Sequence, residues 1–290
     1  MMKFSDKRSA AMSASAVQEG SRKWWTSIPM TYDDWGKGSA FEQFSAPWYD
    51  DIDQRFLHAV RLFSPASNPF EALMTVNELR GKRVLEIGCG MGFHAEMLAR
   101  AGAVLTAIDL SPTSVKATKK RLELKKLTAD VREMDAEALE FRDGSFDMVW
   151  SWGVILASAR TGRIVREIDR VLRPSGEARI MVYNLEGTPA YRVLLTRYML
   201  GYWLGKSLDE LLWQSTDGFS ARFYTKDTFT DLLATFFDNI DVTPFGEEGN
   251  VVPLPRFLRR QVLKFLSPSR QRLLAPRHAS YLFAVAKKNG

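Results

Sequence analysis

Between Arg80 and Asn184 the apolar residues fall into short blocks whose spacing alternates between two periods. Arg83-Val-Leu-Glu-Ile87 is a compact apolar run ending in glycines, and Val104 to Ile108 is a second one. Ala129 to Met134, Phe146 to Trp150 and Ala178 to Tyr183 make three more, the last two preceded by the turn-formers Asp143-Gly144 and Pro174-Ser175-Gly176. Runs of this length between turn signals predict strands buried on both faces. Phe93 to Ala101 has helical spacing, and in Thr161 to Leu172 the residues Ile164, Val165, Ile168, Val171 and Leu172 fall on one helix face. Ser111-Pro112 opens a further helix, with Ser able to cap and Pro suited to the first turn. Strands and helices alternating through short connections predict βαβ units in an α/β, doubly wound, mostly parallel sheet.

The pattern loosens on both sides of this block. Trp24 to Asp53 is crowded with Trp24, Trp25, Tyr32, Trp35, Phe41, Phe44, Trp48 and Tyr49 and is broken by Pro29, Gly36, Gly38 and Pro47. It predicts irregular structure packed on an apolar surface, an N-terminal aromatic lid. Tyr191 to Trp213 reads as an apolar helical insert after the fifth strand, and Thr225 caps an amphipathic helix running to Phe237. Ile240 to Val242 and Tyr281 to Ala286 predict two more strands, an edge hairpin with one strand antiparallel, for seven in all. The expected divisions are a flexible tail over 1–23, a lid with helices over 24–79, a ligand-binding core over 80–186, a helical insert or substrate cap over 187–238, and edge strands with a basic helical segment over 239–290.

Composition narrows the classes. Forty Lys and Arg against 34 Asp and Glu give a net charge of +6, a mild excess not gathered into one tract, so nucleic acid is not called for. From Arg256 to Arg277 basic residues punctuate apolar ones, either as a solvated helix face or as a basic surface for an anionic substrate or peripheral membrane contact. A single cysteine, Cys89, excludes an internal disulfide and a Cys-cluster metal site, and the scattered His58, His94 and His278 form no zinc triad. No apolar run reaches the ~18–20 residues of a membrane span, and residues 1–23 lack the apolar core of a secretory signal, so a cytoplasmic location is expected.

The stretch Val84-Leu-Glu-Ile-Gly-Cys-Gly-Met-Gly92 carries the chemistry. A strand runs into three glycines, which allow a tight turn and close approach of a ligand. Twenty-one residues beyond Gly88 stands Asp109, at the end of the second strand, where nucleoside-binding folds place a ribose acceptor. Dinucleotide folds use G-x-G-x-x-G; this chain has G-x-G-x-G with Glu86 beside it. A carboxylate there repels a pyrophosphate and attracts a cation such as the ammonium of an amino acid. A nucleoside joined to a cationic amino acid is S-adenosylmethionine.

The block from Arg83 to Asn184 resembles the class I S-adenosylmethionine-dependent methyltransferases, a Rossmann-like fold. Glu86-Ile-Gly-Cys-Gly-Met-Gly92 is similar to their first motif, Ala107-Ile-Asp-Leu-Ser111 to the second, and Met134-Asp-Ala-Glu137 to the third. Phe146-Asp-Met-Val-Trp150 resembles the fourth strand, and Arg170-Val-Leu-Arg-Pro-Ser-Gly176 resembles the turn before the fifth, usually Pro-Gly-Gly. The flanking Pro29-Met-Thr-Tyr32 and Phe223-Tyr-Thr-Lys226 look like bacterial small-molecule methyltransferases similar to those of ubiquinone biosynthesis. Those proteins often carry paired histidines after the fourth strand, where this chain has Leu156-Ala157. The resemblance implies S-adenosylmethionine as co-substrate, held around Glu86, Gly88, Cys89, Gly90, Gly92, Asp109, Leu110, Asp135, Ala136, Ser151 and Trp152. Asp109 would take the ribose hydroxyls, Asp135 the adenine amine, and Ala136 would sit beside the ring.

Methyl transfer from a sulfonium needs alignment and dryness more than a fixed base. The acceptor site of an open parallel sheet lies beyond the carboxyl ends of its strands. The catalytic candidates are therefore Tyr183 and Glu186 after the fifth strand, joined by Tyr32 from the lid. Leu194, Leu195, Tyr198, Met199, Leu200, Tyr202 and Trp203 of the insert, with Leu156 and Ala157, predict an apolar pocket for a small metabolite. The competing classes are a nicotinamide oxidoreductase, disfavoured by the glycine spacing, a cofactor-binding protein without catalysis, and a nucleic-acid methyltransferase. For the last, Ser151-Trp-Gly-Val154 stands where an Asn-Pro-Pro-Tyr-type motif would be.

Overall fold

The computed structural model describes residues 12–28, 30–32, 39–202, 205, 207–216, 218–252, 254 and 256–289. Ser13 accepts the Ala16 N–H and starts helix α1 (Ala14–Ser27), which buries Val17, Ser21 and Trp24 on one face. Residues 14–23, expected within a solvated tail, are therefore helical. The Ser cap and the i, i+4, i+7 spacing of that face are the signals that outweigh the low hydrophobicity. Ser45 likewise caps helix α2 (Ala46–Val60), with Pro47 in its first turn and Trp48, Tyr49, Ile52, Phe56 and Val60 buried. The ring-rich segment is thus helical at both ends, over Trp24 to Ser27 and from Ala46 onward, where Pro47 acts as a helix starter, while residues 30–32 and 39–45 are irregular as expected. Trp35, Pro29, Gly36 and Gly38 lie outside the described residues.

A short helix α3 (Phe70–Met74) leads to strand β1 (Arg83–Ile87), then α4 (Phe93–Arg100), β2 (Val104–Asp109), α5 (Pro112–Leu124) and β3 (Asp130–Glu133). β4 (Phe146–Trp152), α6 (Thr161–Val171) and β5 (Leu172–Asn184) follow. After β5, α7 (Thr188–Val193) passes into a π-helical stretch, Leu194–Tyr202, and then come α8 (Leu208–Gln214), β6 (Phe223–Tyr224) and α9 (Lys226–Ala234). β7 (Asn239–Phe245), α10 (Glu248–Val251), α11 (Arg256–Leu263), α12 (Pro268–Leu274) and β8 (Tyr281–Lys287) complete the described elements.

The strands order as β3-β2-β1-β4-β5-β8-β7, with β8 antiparallel to both neighbours and β6 adding a two-residue parallel pairing to the end of β5. The seven expected strands form that path; β8 inserts between β5 and the edge strand β7. Ser175 holds the turn inside β5 at φ +62, the left-handed backbone that glycine in the usual Pro-Gly-Gly would adopt freely. Side chains alternate across β1. Leu85 and Ile87 face a layer with Ile164, Val165 and Ile168 of α6, whereas Val84 faces a layer with Leu98 of α4 and Val115 of α5. The chain runs outward from β1 to β3 and returns to β4 on β1's other side. That reversal opens a crevice at the carboxyl ends of β1 and β4.

Candidate functional site

A continuous cavity occupies this crevice, running from the ends of β2 and β3 across β1 and β4 to β5 and β8. Gly88, Gly90, Asp109, Leu110, Asp135 and Ala136 line one side. Trp152, Met181, Tyr183 and Tyr281 line the other.

The glycine loop is held from behind. Gly88 and Cys89 both donate their N–H to the Ile108 carbonyl, at 2.8 and 3.0 Å, and Gly92 donates to Cys89 at 2.8 Å. Gly90 donates to Asp109 Oδ2 at 2.9 Å. Four loop amides are thereby used within the protein, so the loop is not an anion cradle of the pyrophosphate type. Thr118 Oγ1 of α5 donates to the Gly90 carbonyl at 3.1 Å. A Cβ on Gly92 would meet Thr118 Cα and Arg121 Cδ at 3.1 Å, whereas one on Gly90 would find no protein atom within 4 Å. Gly92 is thus required for packing, and Gly90 leaves room for a ligand.

Two carboxyls sit by the loop. Asp109 accepts from Gly90 and, at 2.8 Å, from the Ser111 N–H, yet burial pushes its carboxyl up to about 6. Glu86 is buried and its Oε2 has no hydrogen-bond donor among the described residues. Burial, and then the neighbouring Asp109, raise its pKa well above the ordinary value. Beneath them Arg121 is nearly fully buried, donating from Nε to Glu96 at 2.7 Å and from both terminal nitrogens to Asp53 at 2.9 and 2.5 Å. This network ties α2, α4 and α5 together under the loop.

At the far end of the cavity Asp135 Oδ1 accepts from Gln18 Nε2 of α1 and from the Glu137 N–H, both at 2.8 Å. Gln18, Ser21 and Trp25 of α1 line the cavity. Ser111 and Thr113 donate their hydroxyls to the Trp25 and Thr26 carbonyls at 3.2 and 2.9 Å and hold the helix there. Tyr32 lines the cavity with its ring stacked on Phe56 at 4.3 Å. Tyr281 donates its hydroxyl to Glu247 Oε1 at 2.7 Å, and both residues line the cavity.

Several expected site residues lie elsewhere. Cys89 spends its N–H on Ile108 and buries its thiol in the core, where burial raises the pKa far above the ordinary value; it lines nothing. Ser151 is buried with its hydroxyl unpartnered among the described residues and also stays out of the cavity lining. Glu186 is exposed, because β5 ends at Asn184 and the Asn184 side chain accepts the Glu186 N–H at 3.0 Å, turning the chain outward. In the insert, Leu194, Leu195, Tyr198 and Met199 do not reach the cavity, and Leu195 and Met199 are 59% and 68% exposed. The insert's buried residues Ala190, Val193, Leu211 and Leu212 form their own small cluster, which leaves the other face outward. Trp203 and the side chains of Leu200 and Tyr202 lie outside the described residues. Leu156 and Ala157, in contrast, do line the cavity. His94 is not a base in waiting: it packs against Phe56, Phe70, Trp150 and Trp152, and burial pushes its pKa down to about 3.

Trp25, one of the rings expected in the lid, lines the cavity, whereas Gln18, Glu247 and Tyr281 line it without having been expected there. The capped, amphipathic pattern of residues 13–27 was a usable signal for Gln18. For Glu247 and Tyr281, which meet only through the pairing of β7 with β8, the sequence held none.

Among the described residues no cluster of His, Cys, Asp and Glu could hold a metal, and no helix is long and apolar enough to cross a membrane. Residues 85–180 match a protein family described as "Methyltransferase domain". The chain is 35% identical over 159 residues to a ubiquinone biosynthesis O-methyltransferase of Xanthomonas euvesicatoria, covering 52% of this chain and 63% of that one. It is 40% identical over 111 residues to a probable phthiotriol/phenolphthiotriol dimycocerosates methyltransferase of Mycobacterium ulcerans, covering 38% and 42%. The alignments thus span less than two thirds of either relative. A solved structure from Thermotoga maritima, a SAM-dependent methyltransferase described as a possible histamine N-methyltransferase, superposes with a TM-score of 0.52 at 16% identity, covering 84% of this chain and 97% of that one. S-adenosylmethionine is the co-substrate of such methyltransferases, and the cavity fits it: Gly90 leaves the open approach and Asp109 lines the wall, whereas Glu86, whose Oε2 lacks a donor among the described residues, is buried behind the loop and, like Gly92, is not among the lining residues. Residues 85–180 thus match a methyltransferase domain, and in its sheet order and acid-flanked glycine loop the chain is similar to the class I S-adenosylmethionine-dependent methyltransferases.

Proposed function

We propose that the protein transfers a methyl group from S-adenosylmethionine to a small, largely apolar acceptor. The observation that carries this reading is the union, in one cavity, of the Gly90–Asp109–Asp135 wall with an apolar wall that includes Phe56, Val60, Leu156 and Met181. Sites for small ligands are apolar with a few placed polar groups.

Asp109 already accepts two backbone amides and has lone pairs left for ribose hydroxyls. Both bonds to Asp135 fall on Oδ1, which leaves Oδ2 for the adenine amine. Glu86 would answer the ammonium. When bound, S-adenosylmethionine would supply an activated methyl: its bond to sulfur breaks, the electron pair stays on sulfur, an acceptor lone pair forms the new bond, and the proton of a hydroxyl acceptor passes to solvent. Trp152 and Tyr32 line that region, and the Tyr183 and Tyr281 hydroxyls and Glu247 are the groups that would orient an acceptor.

Gly90→Ala is expected to weaken adenosylhomocysteine binding by more than about tenfold, through the φ of +51 and through a methyl placed in ligand space. Calorimetry measures it, and circular dichroism checks that the fold persists.

The carboxyls set a pH dependence. Asp109 titrates near 6 when folded, above its ordinary ~3.9, so ionising it costs the fold. Its contribution to stability is lost as pH rises through that interval. Affinity runs the opposite way, because the ionised form is the better acceptor and Glu86, also raised, must lose its proton to meet an ammonium. Adenosylhomocysteine should bind about tenfold more weakly at about pH 5 than at about pH 7. Titration at several pH values tests this.

A further inference from the structure

We propose that residues 188–199, 254 and 258–274 form a docking surface for an anionic lipid bilayer. Leu254, Leu258, Val262 and Phe265 are all exposed, Phe265 at 86%, and they recur at spacings of four, four and three, one stripe along and beyond α11. Leu273 adds 71% exposure on α12. Among the described side chains of α11, Leu263 is the buried one, and the stripe is left outward. Tyr191, Leu195 and Met199 make a second exposed stripe at spacings of four. The Tyr191 ring lies 6.3 Å from His278, just past α12, which brings the start of the second stripe next to the end of the basic segment.

Charge selects the occupant. Between Leu254 and Arg277 there is no Asp or Glu, while Arg260, Lys264, Arg270 and Arg277 are exposed. Thr188 to Tyr202 has two arginines and no acid. Exposed apolar side chains interspersed with cations, in segments that carry no acid of their own, fit the headgroup boundary of a membrane containing anionic lipid, although Asp209 of the neighbouring α8 is exposed beside the second stripe. A soluble partner would need no such one-sided charge, and a second copy would bring like charge against like charge. Position agrees as well. Both segments follow the carboxyl ends of β5 and β7, the end at which the cavity opens, and α10 begins directly after the cavity residue Glu247. A bilayer on this face would lie beside the cavity.

The test uses the full chain and vesicle flotation, with phosphatidylcholine alone and with about one third phosphatidylglycerol. Binding at least about tenfold stronger to the anionic vesicles, falling with added salt, is expected. The variant Phe265→Ser/Leu273→Ser should lose about tenfold of that binding while its melting temperature stays unchanged, since these side chains are 86% and 71% exposed. Arg260→Gln/Lys264→Gln should lose selectivity for the anionic vesicles. No flotation, equal flotation with neutral vesicles, or undiminished binding by the serine variant would overturn the proposal. So would a dimer that the serine variant dissociates in a chain that ignores vesicles. Because vesicle binding is read without any methyl acceptor, its failure is distinct from failure of the methyl-transfer reading.

Discussion

Asp109→Asn should weaken adenosylhomocysteine binding by about 1.5–3 kcal/mol, roughly ten- to a hundredfold, through loss of a charged acceptor for two hydroxyls. The structure shows why asparagine and not alanine is the informative variant. Asp109 also accepts the Gly90 and Ser111 amides, so alanine would strand two buried N–H groups and lower stability together with affinity. Asparagine keeps one acceptor oxygen. Calorimetry reports the affinity, and urea denaturation reports the stability cost separately. An affinity within twofold of the parent would remove Asp109 from the ligand.

Arg121→Met should destabilise the fold by about 3–5 kcal/mol, the largest single effect expected outside the apolar core. The guanidinium is 3% exposed and bonds Asp53 and Glu96 at once. Removing it leaves two carboxylates in a low-dielectric region with no cation shared between α2 and α4. Glu96 keeps Arg100 at 2.7 Å, so Asp53 bears most of the penalty. The Tyr49 ring, 5.3 Å from the guanidinium carbon, loses a stacked cation too. The glycine loop rests on α5 through Thr118, and so ligand affinity should fall even under conditions where the variant is folded. Urea denaturation midpoints measure the stability change. A loss below about 1 kcal/mol would mean the network relaxes into water.

The core of the fold was legible because strand burial and helix amphipathicity are local patterns. β1 to β5 appear where the apolar runs stand, and α6 where Ile164, Val165, Ile168 and Val171 predicted it. Glycine-loop geometry was legible for the same reason, as Gly88 and Gly90 do take left-handed backbone. Long-range pairing was not. Tyr281 reaches the cavity only because β8 inserts antiparallel beside β5, and Gln18 only because α1 docks over Asp135 across 117 residues. The insert failed in the opposite sense. Leu195 and Met199 have the composition of a pocket wall, yet composition does not say which face of a helix turns inward. Cys89 sits inside the first motif but points into the core, since adjacent residues of a tight turn face different ways.

Incubating the full chain with methyl-labelled S-adenosylmethionine, against acceptors from prenylated phenols and quinols through polar amines and sugars to RNA, tests the central claim most directly. The account predicts label in apolar, hydroxyl-bearing acceptors, with one adenosylhomocysteine formed per methyl transferred and no dependence on nucleic acid. Label confined to polar, charged acceptors or RNA, or adenosylhomocysteine binding with no label transferred to any acceptor, would contradict it.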